Sequence, residues 1–209
     1  MFIEANALSE RRMPIFTTSE RGIGVHKPTQ LREDHILIIH GGADISPSLY
    51  GSKLSQHGCG METPSVRDQQ EWEMITQAVK MGIPIVGICR GAQMLCAFEG
   101  GKLVQHIVDH TGRDHKITDK ESGEKVVSNS CHHQMMVPSK HAKIIATCTQ
   151  ETLGYDDDDK AIFIEEVPEV VYFPSIKAIG IQGHPEWAGR SSPFVEYCSR
   201  LINNLLLKG

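Results

Sequence analysis

Apolar residues along the chain fall into short runs and helical stripes. The clearest run is Ile36-Leu37-Ile38-Ile39, closed by Gly41-Gly42. Four apolar side chains in a row suit a strand covered on both faces, as in a parallel sheet. A turn-rich stretch from Ala43 to Thr63 predicts a loop. Pro64 to Asp68 then introduces a helix in which Trp72, Ile75, Val79 and Met81 recur at helical spacing, with Gly82 as its stop. Ile83 to Ile88 reads as a second buried strand, its proline near the start where a missing N–H does least harm. Cys89 to Gln93 opens another helix, which runs through Met94, Leu95, Ala97 and Phe98 to Gly100-Gly101.

This alternation predicts an α/β fold with a mainly parallel central sheet flanked by helices. The second half holds shorter β-like runs at Lys125–Ser128, Ile144–Thr147, Ala161–Ile164, Val170–Phe173 and Ile179–Gln182. Their close spacing predicts that some pair antiparallel. A last helix is expected from Phe194 to Leu207, with Pro193 in its first turn. Met13 to Thr17 is a weak strand candidate. No repeat or long linker divides the sequence, so residues 1–209 are expected to form a single domain.

Composition narrows the function classes. Hydrophobic residues at 40% and charged residues at 22% are ordinary for a globular protein. The 21 basic and 26 acidic residues leave a formal charge of −5, which argues against a nucleic-acid partner. No apolar run reaches the roughly 18 residues of a membrane span. The opening MFIEANALSERRM lacks the basic-then-apolar order of a signal peptide, so a cytoplasmic location is expected. The six cysteines form no CxxC pair and read as free thiols. Asp156-Asp157-Asp158-Asp159 repel one another and are expected at a solvated hairpin tip. They lack the spaced donors and turn glycine of a calcium loop.

Candidate chemistry centres on Gly87-Ile88-Cys89-Arg90-Gly91, between a buried strand and a helix. A nucleophile on such a turn projects away from the backbone, and small flanking residues let neighbouring chain pass close. The helix N-terminus is expected to lower the thiol pKa, and the Arg90 N–H points to where an oxyanion would form. A small buried residue at a strand end fits the same pattern equally well. A thiol nucleophile needs a base, and the base needs an orienting group. Gly183-His184-Pro185-Glu186, after the strand Ile179 to Gln182, offers both. Gly41-Gly42 offers backbone N–H groups that a ligand can approach.

Together these segments resemble the class I glutamine amidotransferase superfamily, and within it the gamma-glutamyl hydrolase branch, which includes the gamma-glutamyl-GABA hydrolases. The matching segments are Gly41 to Gly51, Arg67-Asp68 with Glu71, Gly82 to Gln93, Gly100 to Leu103, His132-His133-Gln134 and Gln182 to Glu186. The resemblance implies a Cys89–His184–Glu186 triad acting on a γ-glutamyl amide through a glutamyl thioester. It implies an oxyanion hole at Gly42 and Arg90, and substrate contacts at Gln93, His133 and Gln134. It implies no cofactor and no metal. Its partners would be a small γ-glutamyl substrate and, where ammonia is passed on, a separate synthase; a homodimer fits as well, and neither nucleic acid nor membrane is called for.

Two features depart from that family. Only 40 residues precede the Gly-Gly loop, which predicts a reduced sheet edge or pocket wall. The segment with His106, His110 and His115 is unusually rich in histidine. H-x3-H could hold a metal on one helical face, but exposed or substrate-lining histidines are the expectation. Three functions stay open: a stand-alone hydrolase of γ-glutamyl amides, a glutaminase subunit feeding a synthase, and a non-catalytic binding protein on the same scaffold.

Overall fold

The computed structural model describes residues 2–5 and 23–208. The candidate strand at Met13 to Thr17 lies outside them. The first half supplies β1 (Phe2–Ala5), β2 (Ile23–Val25), β3 (Ile36–Ile39), helix α1 (Val66–Met81), β4 (Ile85–Ile88) and helix α2 (Arg90–Phe98). Short strands follow as β5 (Lys102–Val104), β6 (His106–Ile107), β7 (His115–Asp119), β8 (Lys125–Ser128) and β9 (Met135–Val137). Then come β10 (Lys143–Cys148), β11 (Thr152–Tyr155), β12 (Ala161–Ile164), β13 (Val167–Phe173), β14 (Ala178–Ile181) and helix α3 (Pro193–Ile202).

Nine of these strands form one mixed sheet in the order β2-β1-β3-β4-β14-β13-β10-β7-β8. Pairing is parallel from β2 to β14 and antiparallel from β14 to β8. The expected α/β architecture is present, with its antiparallel part as a continuation of the central sheet. The edge before β3 carries two parallel strands, β1 and β2. Among the described residues, no helix is long and apolar enough to cross a membrane.

Burial explains the patterning. Ile36 and Ile38 face a core shared with Phe194, Tyr197 and Ile202 of α3. Leu37 and Ile39 face the opposite core, with Met74 and Ile75 of α1 and Met94 and Leu95 of α2. An apolar run was therefore the right signal for a strand covered on both sides. In β7 and β8 burial alternates, as one-sided antiparallel strands require. The acidic run caps the β11–β12 hairpin, where Tyr155 pairs with Ala161. The tip is not wholly solvated, because the Asp159 carboxylate accepts a hydrogen bond from the Ser55 hydroxyl.

Register places the chemistry. Ile39 pairs with Gly87, and Ile88 pairs with Ile181. The C-terminal ends of β3, β4 and β14 therefore lie side by side. Gly41-Gly42, Cys89 and His184 follow those three ends, which is where open α/β sheets place their ligands.

Candidate active site

Cys89 sits between β4 and α2 with φ 50° and ψ −109°, an uncommon conformation for a residue with a side chain. The surrounding chain fixes it. The Cys89 N–H donates to the Ile181 carbonyl at 2.8 Å, and its own carbonyl accepts from Gln93 N–H at 3.1 Å, starting the helix. A Cβ at Gly87 would lie 2.5 Å from the Gly91 carbonyl oxygen, and one at Gly91 would run into the Ile39 carbonyl. Only glycine at both flanks lets the turn fold this tightly against β3.

The thiol's surroundings act on it differently from what its place at a helix start predicts. Burial pushes the Cys89 thiol up to about 12, outweighing the backbone N–H of Arg90, which pulls it down. The expected depression by the helix N-terminus is thus overruled by desolvation.

His184 is brought to the thiol across Gly41. A Cβ built on Gly41 would lie 2.7 Å from His184 Cε1 and 3.5 Å from Cys89 Cβ, so both side chains flank that one backbone position. His184 Nδ1 donates to Glu186 Oε1 at 2.7 Å. That bond places the ring proton on Nδ1 and leaves Nε2 as the basic atom of the neutral imidazole. Trp187 stacks on the imidazole at 3.7 Å with the rings 2° from parallel. The spacing of two residues works because Pro185–Trp187 forms a single 3₁₀ turn that starts at His184.

Asn129 completes the support and was not singled out by sequence. Its Oδ1 accepts from the His184 backbone N–H, and its Nδ2 donates to the His184 carbonyl, both at 2.7 Å. One amide side chain thereby satisfies both polar groups of the residue that carries the base. If His184 is the base of the expected triad, replacing Asn129 with Ala should lower kcat by about 10- to 100-fold with little change in KM, because Asn129 holds only the His184 backbone. Steady-state kinetics on a γ-glutamyl amide checks this; an unchanged kcat would remove Asn129 from the account. Its only sequence cue was its place between Ser128 and the His132-His133-Gln134 segment.

A second unpredicted network runs beneath the Gly-Gly loop. Arg67 Nη2 donates to the carbonyls of His40 and Gly41 at 3.2 and 3.1 Å, and its Nε donates to Glu71 at 2.8 Å. Glu71 in turn pairs with the buried Arg90 guanidinium, which also donates to Asp68 at 2.5 Å. Asp68 closes the capping box of α1 with Ser65. The peptide bonds here are trans. A carbonyl of Gly41 turned toward Arg67 therefore turns the Gly42 N–H the opposite way.

The three expected substrate contacts have distinct surroundings. Gln93, one turn after Cys89, is buried and donates to Gln182 Oε1 at 3.4 Å. His133 is part-buried and pairs with Asp44 Oδ1 at 3.0 Å. That carboxylate raises its pKa against the opposing effect of burial. Gln134 is buried with its Oε1 unpartnered. The histidine-rich segment is not a helix. His106 lies in β6, beside His133 and Tyr155. His110 and His115 are buried, so the exposed half of the expectation fails for them. All six cysteines are free.

Comparison with known proteins adds four results. The family model for peptidase C26 matches residues 28–186. A Schizosaccharomyces pombe protein described as "Putative glutamine amidotransferase PB2B2.05" is 31% identical over 162 residues, covering 72% of this chain and 61% of its own length. The carbamoyl phosphate synthase small chain of Neisseria gonorrhoeae is 26% identical over 156 residues, covering 75% of this chain and 33% of its own length. The chain thus spans about three-fifths or less of these relatives. A solved glutamine amidotransferase of Thermotoga maritima superposes with a TM-score of 0.55 at 13% identity, covering 97% of this chain and 84% of its own, and supports the fold.

Proposed function

The chain belongs to the peptidase C26 family, and we propose that it is a cysteine-dependent hydrolase of the γ-glutamyl amide bond, acting on its own through a Cys89–His184–Glu186 triad. The observation that carries this reading is the strained Cys89 turn with the Glu186-bound imidazole held against it across Gly41.

In this mechanism the Cys89 sulfur attacks the γ-carbonyl carbon as the thiol proton passes to His184 Nε2. A neutral resting thiol makes that transfer necessary. The oxyanion forms against the N–H groups of Gly42 and Arg90, the first of them aimed by the Arg67 clamp on the Gly41 carbonyl. Collapse breaks the C–N bond, and His184 gives its proton to the departing nitrogen. Water then attacks the thioester, His184 removes its proton, and glutamate leaves as the sulfur takes a proton back. Glu186 holds the imidazole in the working tautomer throughout. Gln93, His133 and Gln134 surround the glutamyl group.

Glutamate release from glutamine and from several γ-glutamyl amines tests the reading. Strong turnover of a γ-glutamyl amine with little on glutamine is the expected result. Slow turnover of glutamine alone would instead identify an ammonia donor awaiting a synthase, the arrangement suggested by the similarity to a carbamoyl phosphate synthase small chain.

A further inference from the structure

Three imidazoles and one carboxylate that the proposed reaction does not use meet in the interior. His110, His115, His132 and Glu169 are all buried. The ring centroids are 4.9 Å apart for His110 and His115, 5.3 Å for His110 and His132, and 6.1 Å for His115 and His132. Glu169 Oε1 lies 3.0 Å from His115 Nε2 and 3.4 Å from His132 Nε2. One ligand atom from each of His115, His132 and Glu169 fits within a 4.8 Å span.

The geometry is not that of ordinary hydrogen bonding. Nε2 of His115, Nε2 of His132 and both carboxylate oxygens of Glu169 lack an aligned hydrogen-bond partner, although they are fully enclosed. His132 Nδ1 donates to the Gln134 carbonyl at 2.9 Å, and His110 Nδ1 donates to the Val108 carbonyl at 3.3 Å. A carbonyl can only accept, so in the neutral rings the free lone pairs lie on Nε2. In the neutral form His132 therefore turns a lone pair toward a carboxylate, an arrangement that a cation bound between them would satisfy. Metal-bound histidines show the same pattern, with the outer nitrogen held by a carbonyl or carboxylate. Ligands about 2.0–2.1 Å from a tetrahedral zinc are about 3.3 Å apart, close to both measured separations.

We propose that His115, His132 and Glu169 hold one zinc-type divalent cation. Imidazole-rich nitrogen with one carboxylate oxygen suits zinc better than magnesium or calcium. Burial of all three ligands points to a structural role. The cation would clip the segment from Ser128 to Gln134 onto β13. That segment carries Asn129, which holds His184, and the Glu169 carbonyl accepts from Gln182 N–H at 2.8 Å in the approach to His184. The cation would thus brace the base without touching substrate.

The test uses the full chain stripped with a chelator and given one equivalent of Zn²⁺ or Co²⁺. Zinc should raise the Tm by about 10 °C, and cobalt should bind with a visible absorption that saturates at one ion per chain. Glu169→Gln, nearly isosteric, should weaken cobalt binding at least ~100-fold. The double variant Cys59→Ser/His133→Ala removes the more exposed grouping of Asp44, Cys59 and His133, and Cys148→Ala breaks the buried grouping of His110, His115 and Cys148; both should keep the cobalt spectrum. No uptake and no Tm change in the wild-type chain would overturn the proposal. So would a cobalt signal that survives Glu169→Gln and disappears in the double variant. If Glu169→Gln fails to fold, the double variant and Cys148→Ala decide: a cobalt spectrum kept in both supports the site, and its loss in either overturns it.

Discussion

Replacing Cys89 with Ala or Ser should reduce glutamate release at least ~10⁴-fold, the scale on which removing a covalent nucleophile acts. The loss should fall on kcat, because the glutamyl group is held by other residues. Stability should change by no more than about 1 kcal/mol. The exchange removes one sulfur or swaps it for oxygen, while the Gly87 and Gly91 contacts that force the turn remain. Cys59 and Cys131 are exposed, whereas Cys96, Cys148 and Cys198 are buried in the core. None of these five should prove as indispensable. Glutamate assays with urea unfolding separate catalysis from folding. A Cys89→Ala protein that still turns over would move the nucleophile elsewhere.

The largest stability effect should come from Arg90→Ala. The Arg90 guanidinium is 2% exposed and lies against Asp68 and Glu71, which are equally enclosed. Removing the cation leaves two buried carboxylates with diminished compensation, although Glu71 keeps its bond to Arg67. Breaking a buried pair in this way costs about 3–5 kcal/mol, or roughly 10 °C or more in Tm for a chain of this size. Arg90→Lys should recover part of it, since a lysine keeps the charge but lacks the fork that reaches both carboxylates. Activity should fall further than stability alone explains, because Glu71 also orients Arg67 beneath Gly41. A wild-type unfolding midpoint in Arg90→Ala would show that the network carries no such weight.

Local signals were legible in the sequence. Ile36–Ile39 and Ile83–Ile88 read as buried strands because their neighbours cover both faces. Gly87 and Gly91 betrayed the tight turn because steric need leaves only one residue type. His184 and Glu186 were found because one short turn holds both. The supports were not legible, since they depend on distant pairing. Asn129 reaches His184 only after the antiparallel half of the sheet has folded. Glu169 gave no periodic cue, because β13 is buried on both faces and polar alternation is lost. His115 sits inward as the first residue of a strand whose burial alternates, with Lys116 outward. The expectation of exposed or substrate-lining histidines did not anticipate this. The thiol was misjudged for another reason: sequence shows the helix start but not the depth of burial, and burial dominates.

The most direct test is to trap the intermediate. The wild-type protein is mixed with a γ-glutamyl amide, quenched in acid during turnover and digested for mass spectrometry. The account predicts one glutamyl group on the peptide containing Cys89, labile to hydroxylamine and absent from Cys89→Ala. Glutamate release without any adduct, or with the glutamyl group on another residue, would contradict it.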